Sequence, residues 1–146
     1  MAVLPGEKTM LQMETVTPGT YADVVQVVSV TRPGPTTPEV KKTILASVRQ
    51  EYRPGKIPDE GTVEFRIQYD PNDATHQAIY TAQAAGTTKN WKLKYADGMT
   101  TPANEAFAAF ITGISPSEAS AEDDNNVEAT VTMRVTGAVT RTAGVA

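Results

Sequence analysis

Residues 63–79 leave this chain few ways to fold. Val63, Phe65, Ile67 and Tyr69 alternate with Glu64, Arg66 and Gln68, the period-2 mark of a strand with one buried face. Asp70 follows at once as a good helix N-cap. Pro71 suits the first helical position, and Asp73 adds negative charge to the first turn. A strand, a capped turn and a helix with almost no slack between them predict a largely β protein carrying one short helix.

The rest of the chain fits that frame. Its 146 residues make one domain able to bury a core. Ten glycines and ten prolines gather between the periodic stretches, as turns require. Val24 to Val30 reads as a strand ending at Arg32-Pro33-Gly34-Pro35, and Val40 to Leu45 as a second. The helix is expected over about 72–85, with Ala74, Ala78 and Ala82 on one stripe and Gly86 as its C-terminal cap. Trp91, Leu93 and Tyr95 point inward from another strand, closed by Asp97-Gly98. Glu105 to Ile114 reads as a central strand, apolar on both faces. Val127 to Thr136 is the last strand, and Gly137 is expected to end it. The fold class is thus mainly β: a sandwich or partial barrel of two packed sheets flanked by one short helix.

Three segments break the pattern. Residues 1–20 show no lasting period and read as an extended N-terminal arm. Residues 138–146 form a small-residue tail. Residues 46–60 lose all periodicity yet carry Val48, Tyr52 and Ile57. A long loop with apolar anchors is expected to dock on something.

Chemistry finds little support. The single histidine, His76, is read as a surface helix residue beside a cap rather than as a general base. No second histidine completes a triad or metal site. Glu118, Glu122, Asp123 and Asp124 lack the spacing and glycine of an EF-hand and read as a solvated loop. No cysteine is present, which removes disulfides and thiolate metal sites. A net charge of −4 argues against broad nucleic-acid affinity. No stretch has the length of a membrane span, and the polar start is not that of a signal peptide. No catalytic, cofactor or metal residues are therefore assigned. The chain is expected to be soluble and to work by assembling.

The segment from Gly61 to Ile79 also carries a family resemblance. Gly61-Thr62-Val63 and Phe65, then Tyr69-Asp70-Pro71, Asp73 and Thr75-His76-Gln77-Ala78, resemble the matching run of tail tube proteins from long-tailed bacteriophages. Trp91 to Gly98 and the Val-Thr-Gly close at residues 135–137 are similar too. The resemblance spans roughly residues 20–140. It implies a β-sandwich subunit of a virion, built in the host cytoplasm. Subunits of this family close into hexameric rings, and the rings stack into a hollow tube through which genome DNA passes. It further implies a tape measure protein, a tail-tip protein and a tail-terminator as neighbours. An extra immunoglobulin-like domain, carried by some relatives, is not expected.

On that view the 46–60 loop is the assembly loop, with Arg49, Tyr52, Arg53, Pro54 and Ile57 reaching a neighbouring subunit or ring. Glu64, Glu105 and Glu128 are candidates for an acidic lumen wall that repels phosphate. Two other readings compete. One is the inner tube of a contractile tail or related injection system. The other is a monomeric sandwich module for adhesion or carbohydrate binding, which would gather exposed aromatics on one face.

Overall fold

A computed structural model describes residues 9–15, 17–45, 48–117 and 127–146. Its elements run β1 (Met10–Glu14), β2 (Tyr21–Asp23), β3 (Val27–Val30), β4 (Glu39–Lys41), β5 (Tyr52–Pro54), β6 (Thr62–Gln68), α1 (Ala74–Ala85), β7 (Lys89–Lys94), β8 (Asn104–Pro116) and β9 (Glu128–Thr142). Seven strands form one antiparallel sheet in the order β2-β1-β7-β8-β9-β6-β3. Strands β4 and β5 pair only with each other, as a second, two-stranded sheet. The expected mainly β class with two sheets and one short helix is what the chain adopts.

The large sheet is curled. Strands β6 and β7 lie three steps apart, which is about 14 Å in a flat sheet at ~4.8 Å per strand. Yet the rings of Phe65 and Trp91 meet at 5.8 Å between centroids. The two margins approach as well, since β1, one strand in from one edge, comes against β3 at the other. The concave face therefore folds onto itself, and one sheet supplies both sides of the core. Leu11, Met13, Val63, Phe65, Ile67, Trp91, Leu93, Phe107, Val131 and Met133 alternate into it and are almost fully buried. Strand β8 is the fourth of the seven, the central place its two apolar faces predicted.

Two bulges shape β8 and β9. Opposite Ile111–Gly113, β9 advances by only one residue. Between Ala106 and Ala108, β9 advances four positions, from Thr136 to Thr140, around Gly137 at φ +84. Glycine takes that left-handed conformation without steric cost. Gly137 thus bends the strand instead of ending it. Val139 returns to the core, and β9 runs to Thr142, into the stretch expected as a tail. The arm expectation changes likewise: residues 10–14 form β1, held between β2 and β7. Its period rests on two inward residues, Leu11 and Met13, too few to stand out in sequence.

The helix begins two residues later than expected. Its N-cap is Asp73, whose carboxylate accepts from the Thr75 and His76 amides, while Asp70 caps the preceding turn by accepting from Asn72 N–H at 2.9 Å. The Thr75 hydroxyl, followed by those amides, holds the Asp73 carboxyl below the usual carboxylate range. Gly86 caps the C-terminus at φ 65, as predicted. The helix packs against β8 and buries His76, Ile79 and Ala82 rather than an all-alanine stripe.

His76 is consequently not a surface residue. It is fully buried and stacks on Tyr69 at 6.1 Å. Its Nδ1 accepts from the Asp70 N–H at 3.0 Å, and Nε2 lies 2.8 Å from the Val25 carbonyl. With Nδ1 accepting, the proton sits on Nε2 and is donated to Val25. One side chain thereby joins the helix start to the turn before β3, where Gln26 sits at φ 59. His76→Ala removes a fully buried side chain and takes the ring partner from the Asp70 N–H and the Val25 carbonyl. Urea unfolding should show a loss of roughly 2–4 kcal/mol. An unchanged midpoint would mean the ring bears no such load.

Candidate assembly surface

The β4–β5 sheet is the far part of a ribbon that leaves the body at one end. Its two legs continue the β3–β6 ladder outward. Thr31 N–H bonds the Glu64 carbonyl at 2.7 Å, Gly34 N–H the Glu60 carbonyl at 3.2 Å, and Thr36 and Asp59 exchange both backbone bonds at 2.7 and 2.8 Å. Gly55 N–H then reaches the Pro38 carbonyl at 2.6 Å. A Cβ at Gly55 would come within 2.5 Å of the Pro38 ring, so only glycine permits this approach. Beyond it, Glu39, Val40 and Lys41 pair with Pro54, Arg53 and Tyr52.

The expected assembly residues all lie on this ribbon. Tyr52, Arg53 and Pro54 form β5, while Arg49 and Ile57 flank it, and all five are exposed. Residues 46 and 47, in the middle of the expected loop, lie outside the described residues. The segment is more ordered than a loop: its C-terminal half is a strand and a leg. It shows no period because both faces of an isolated two-stranded ribbon meet solvent. Its apolar side chains stand out from the body, with Leu45 109%, Val48 97% and Ile57 82% exposed. The ribbon is also basic. From residue 39 to 58 it carries Lys41, Lys42, Arg49, Arg53 and Lys56 against Glu39 and Glu51, in a chain of net charge −4.

Two arginines of β9 hold the ribbon's second leg. Arg134 pairs with Asp59, and Arg141 lies 3.7 Å from Glu60 and 3.6 Å from Glu105. Asp59 Oδ1 also accepts the Gly61 N–H at 2.9 Å. That bond, with the Arg134 guanidinium second, holds the Asp59 carboxyl below the usual range. Nearby, burial pushes the Tyr95 phenol up, and the Glu105 charge adds to it while Arg32 opposes it.

The three acidic wall candidates divide. Glu64 alternates with buried Val63 and Phe65 and is exposed on the outer face of the sheet. Glu128 shares that face and lies 3.1 Å from Arg66. Glu105 belongs to the other face. It alternates in register with Phe107 and Ala109, is only 9% exposed and faces Arg141. Its place among polar strand residues is corrected: an acidic residue beside an apolar run was paired inward, not turned outward. Sequence reasoning missed Asp59, Glu60, Arg134 and Arg141, whose partners lie 75 and 81 positions away. The acidic run at 118–124 lies outside the described residues. Among the described residues no group of three or more His, Cys, Asp or Glu is placed to hold a metal, and no helix is long and apolar enough to cross a membrane.

The sign of the Asp59 shift gives a pH dependence. Its folded value lies below the ordinary aspartate value of 3.8, so its contribution to stability is present above that value and fades as pH falls through the lower folded one. An NMR titration of the Asp59 carboxyl should place its midpoint below 3.8. Arg134→Ala should move it only part of the way back, because the Gly61 N–H bond is the larger cause. A midpoint unmoved by Arg134→Ala would deny the ion pair.

Comparison with known proteins places the chain. The family model for phage tail tube proteins matches residues 3–144. No curated protein matches. Among solved structures, the fold is similar to a chain of the tail of an empty gene transfer agent particle, reconstructed with six-fold symmetry. There the TM-score is 0.77 at 14% identity, covering 97% of this chain and all of that one. A chain from the extracellular contractile injection system PVC, at its sheath/tube terminator, gives 0.76 at 11% identity, covering 98% and 99%. The SPP1 tail tube subunit gives 0.73 at 13% identity, covering 99% and 81%. At such identities these likenesses establish the fold, while the family match over nearly the whole chain establishes membership. This chain is a member of the phage tail tube protein family, a structural component of the virion tail and not an enzyme.

Proposed function

We propose that the subunit closes into hexameric rings, and that the basic, apolar-tipped ribbon reaches the next ring of the stacked tube. The observation that carries this is the ribbon itself. Among its described residues from 39 to 58 it places no apolar side chain in the core, and Leu45, Val48, Tyr52 and Ile57 are all exposed. A soluble monomer gains nothing from such a display, whereas a second copy that covers it removes apolar area from water. A head-to-tail contact that closes by rotation makes a ring, and one that translates along the axis makes an open stack. Ring closure would also occupy the outer strands β2 and β3, whose unpaired backbone is a liability in a free sheet. The six-fold symmetry of the similar gene transfer agent tail supports six as the count.

In this reading Arg49, Tyr52, Arg53, Pro54 and Ile57 make ring-to-ring contacts. The ribbon's positive charge suits an otherwise acidic neighbouring copy. Glu64 and Glu128 are the wall candidates that remain, repeated around each ring so that DNA slides without binding. Tape measure, tail-tip and terminator proteins would be the tube's other neighbours.

Electron microscopy of concentrated protein tests the assembly: hollow tubes with a regular axial repeat are expected. Leu45→Asp, Val48→Asp and Ile57→Asp test the ribbon. Each should leave the monomer's stability within about 0.5 kcal/mol, as exposed substitutions do, and each should abolish or shorten the tubes. Tubes of normal length from the triple variant would remove the ribbon from the contact.

A further inference from the structure

The two arginines of β9 grip the ribbon from opposite sides of the sheet. Arg134 lies between buried Met133 and Val135 and so projects from the outer face, where it meets Asp59. Arg141 meets Glu105, which alternates with Phe107 and Ala109 into the core, and so works on the concave face, where it meets Glu60. Asp59 and Glu60 are consecutive in an extended leg, and consecutive side chains of an extended chain point to opposite faces. Their exposures agree: the Asp59 side chain is 49% exposed and that of Glu60 13%.

A ribbon of two strands has little else to fix it. Backbone bonds join its legs to each other and set its length, but they allow it to rock and twist about its long axis. Opposing that rotation takes contacts on both faces, and these two ion pairs are such contacts. The Gly137 bulge separates them along β9. It bends the strand between the two arginines while Val139 keeps the concave face beyond it.

The geometry points to Arg134 and Arg141 as positioning residues that set the ribbon's angle to the sheet, and through it the rotation from one ring to the next. This rests on the ribbon being the ring-to-ring contact. Without the clamp the subunit still folds, because neither grip is part of the apolar core cluster, but the ribbon samples a range of angles and successive rings lose a common rotation. The half-exposed Arg134–Asp59 pair adds little to stability, so its effect is read in geometry rather than in melting.

The test has two arms. In the monomer, spin labels at Lys41→Cys on the ribbon and Thr87→Cys on the body report their separation, and the chain contains no other cysteine. Arg134→Ala/Glu60→Gln releases both grips while leaving the Arg141–Glu105 pair. The distance distribution should broaden about twofold, as a segment moves toward the freely fluctuating end of local stability. The swap Asp59→Arg/Arg134→Asp should return it toward the original width on the outer side. In the tube, image reconstruction should find a uniform ring-to-ring rotation in the parent and a spread of rotations in the released variant.

An unchanged distribution together with an unchanged, uniform rotation would overturn the clamp. Asp59→Asn, an exposed change, supplies the same comparison on the outer face if the double variant folds poorly. A parent protein that makes no tubes would instead count against the ribbon as a ring contact, while the monomer distances would still decide whether the clamp exists.

Discussion

The contact between Phe65 and Trp91 across the curled sheet is the constraint on which the other features depend. An open sheet of seven strands would expose one apolar face to water. By curling until strands three steps apart touch, the chain buries that face against itself and needs no second large layer. The curl explains the modest demand for aromatics: the two sides converge, so a few large rings and many valines and alanines fill the space. It also explains the bulges, which let β8 and β9 bend without losing their register on β6 and β7.

Where a strand was long enough to repeat its buried face, the sequence announced it. Strand β6, the Trp91–Leu93 pair of β7, the central place of β8 and the start of β9 were all legible from alternation, and Gly86 from its place after the helix. Strand β1 was hidden because only Leu11 and Met13 carry its signal. Of the ribbon, the expected strand from Val40 to Leu45 overlaps β4, while β5 was hidden because neither of its faces is buried. Gly137 looked like a stop because a glycine after a strand can either end it or bulge it. The difference is made by Val139, whose burial depends on distant residues.

The ribbon proposed as the assembly surface was legible in outline and not in detail. Apolar residues in a segment without period marked Tyr52 and Ile57 as anchors waiting for a partner. The arginine grips were not visible, since nothing near Arg134 or Arg141 in the chain indicates Asp59 or Glu60. His76 shows the same limit. A lone histidine next to Asp73 reads as a surface residue, and only the fold brings Val25 beside its far nitrogen.

The ribbon shares almost no side chains with the core. On the proposed reading of the ribbon as the ring-to-ring contact, residues that decide whether the chain folds and residues that decide which neighbour it accepts are separate sets, joined by two legs and a pair of arginines. Substitutions can accumulate along the ribbon without eroding the sheet, so the fit between rings can change from one lineage to another on an unaltered body. Compatibility between subunits and stability of the subunit are then free to evolve on independent schedules.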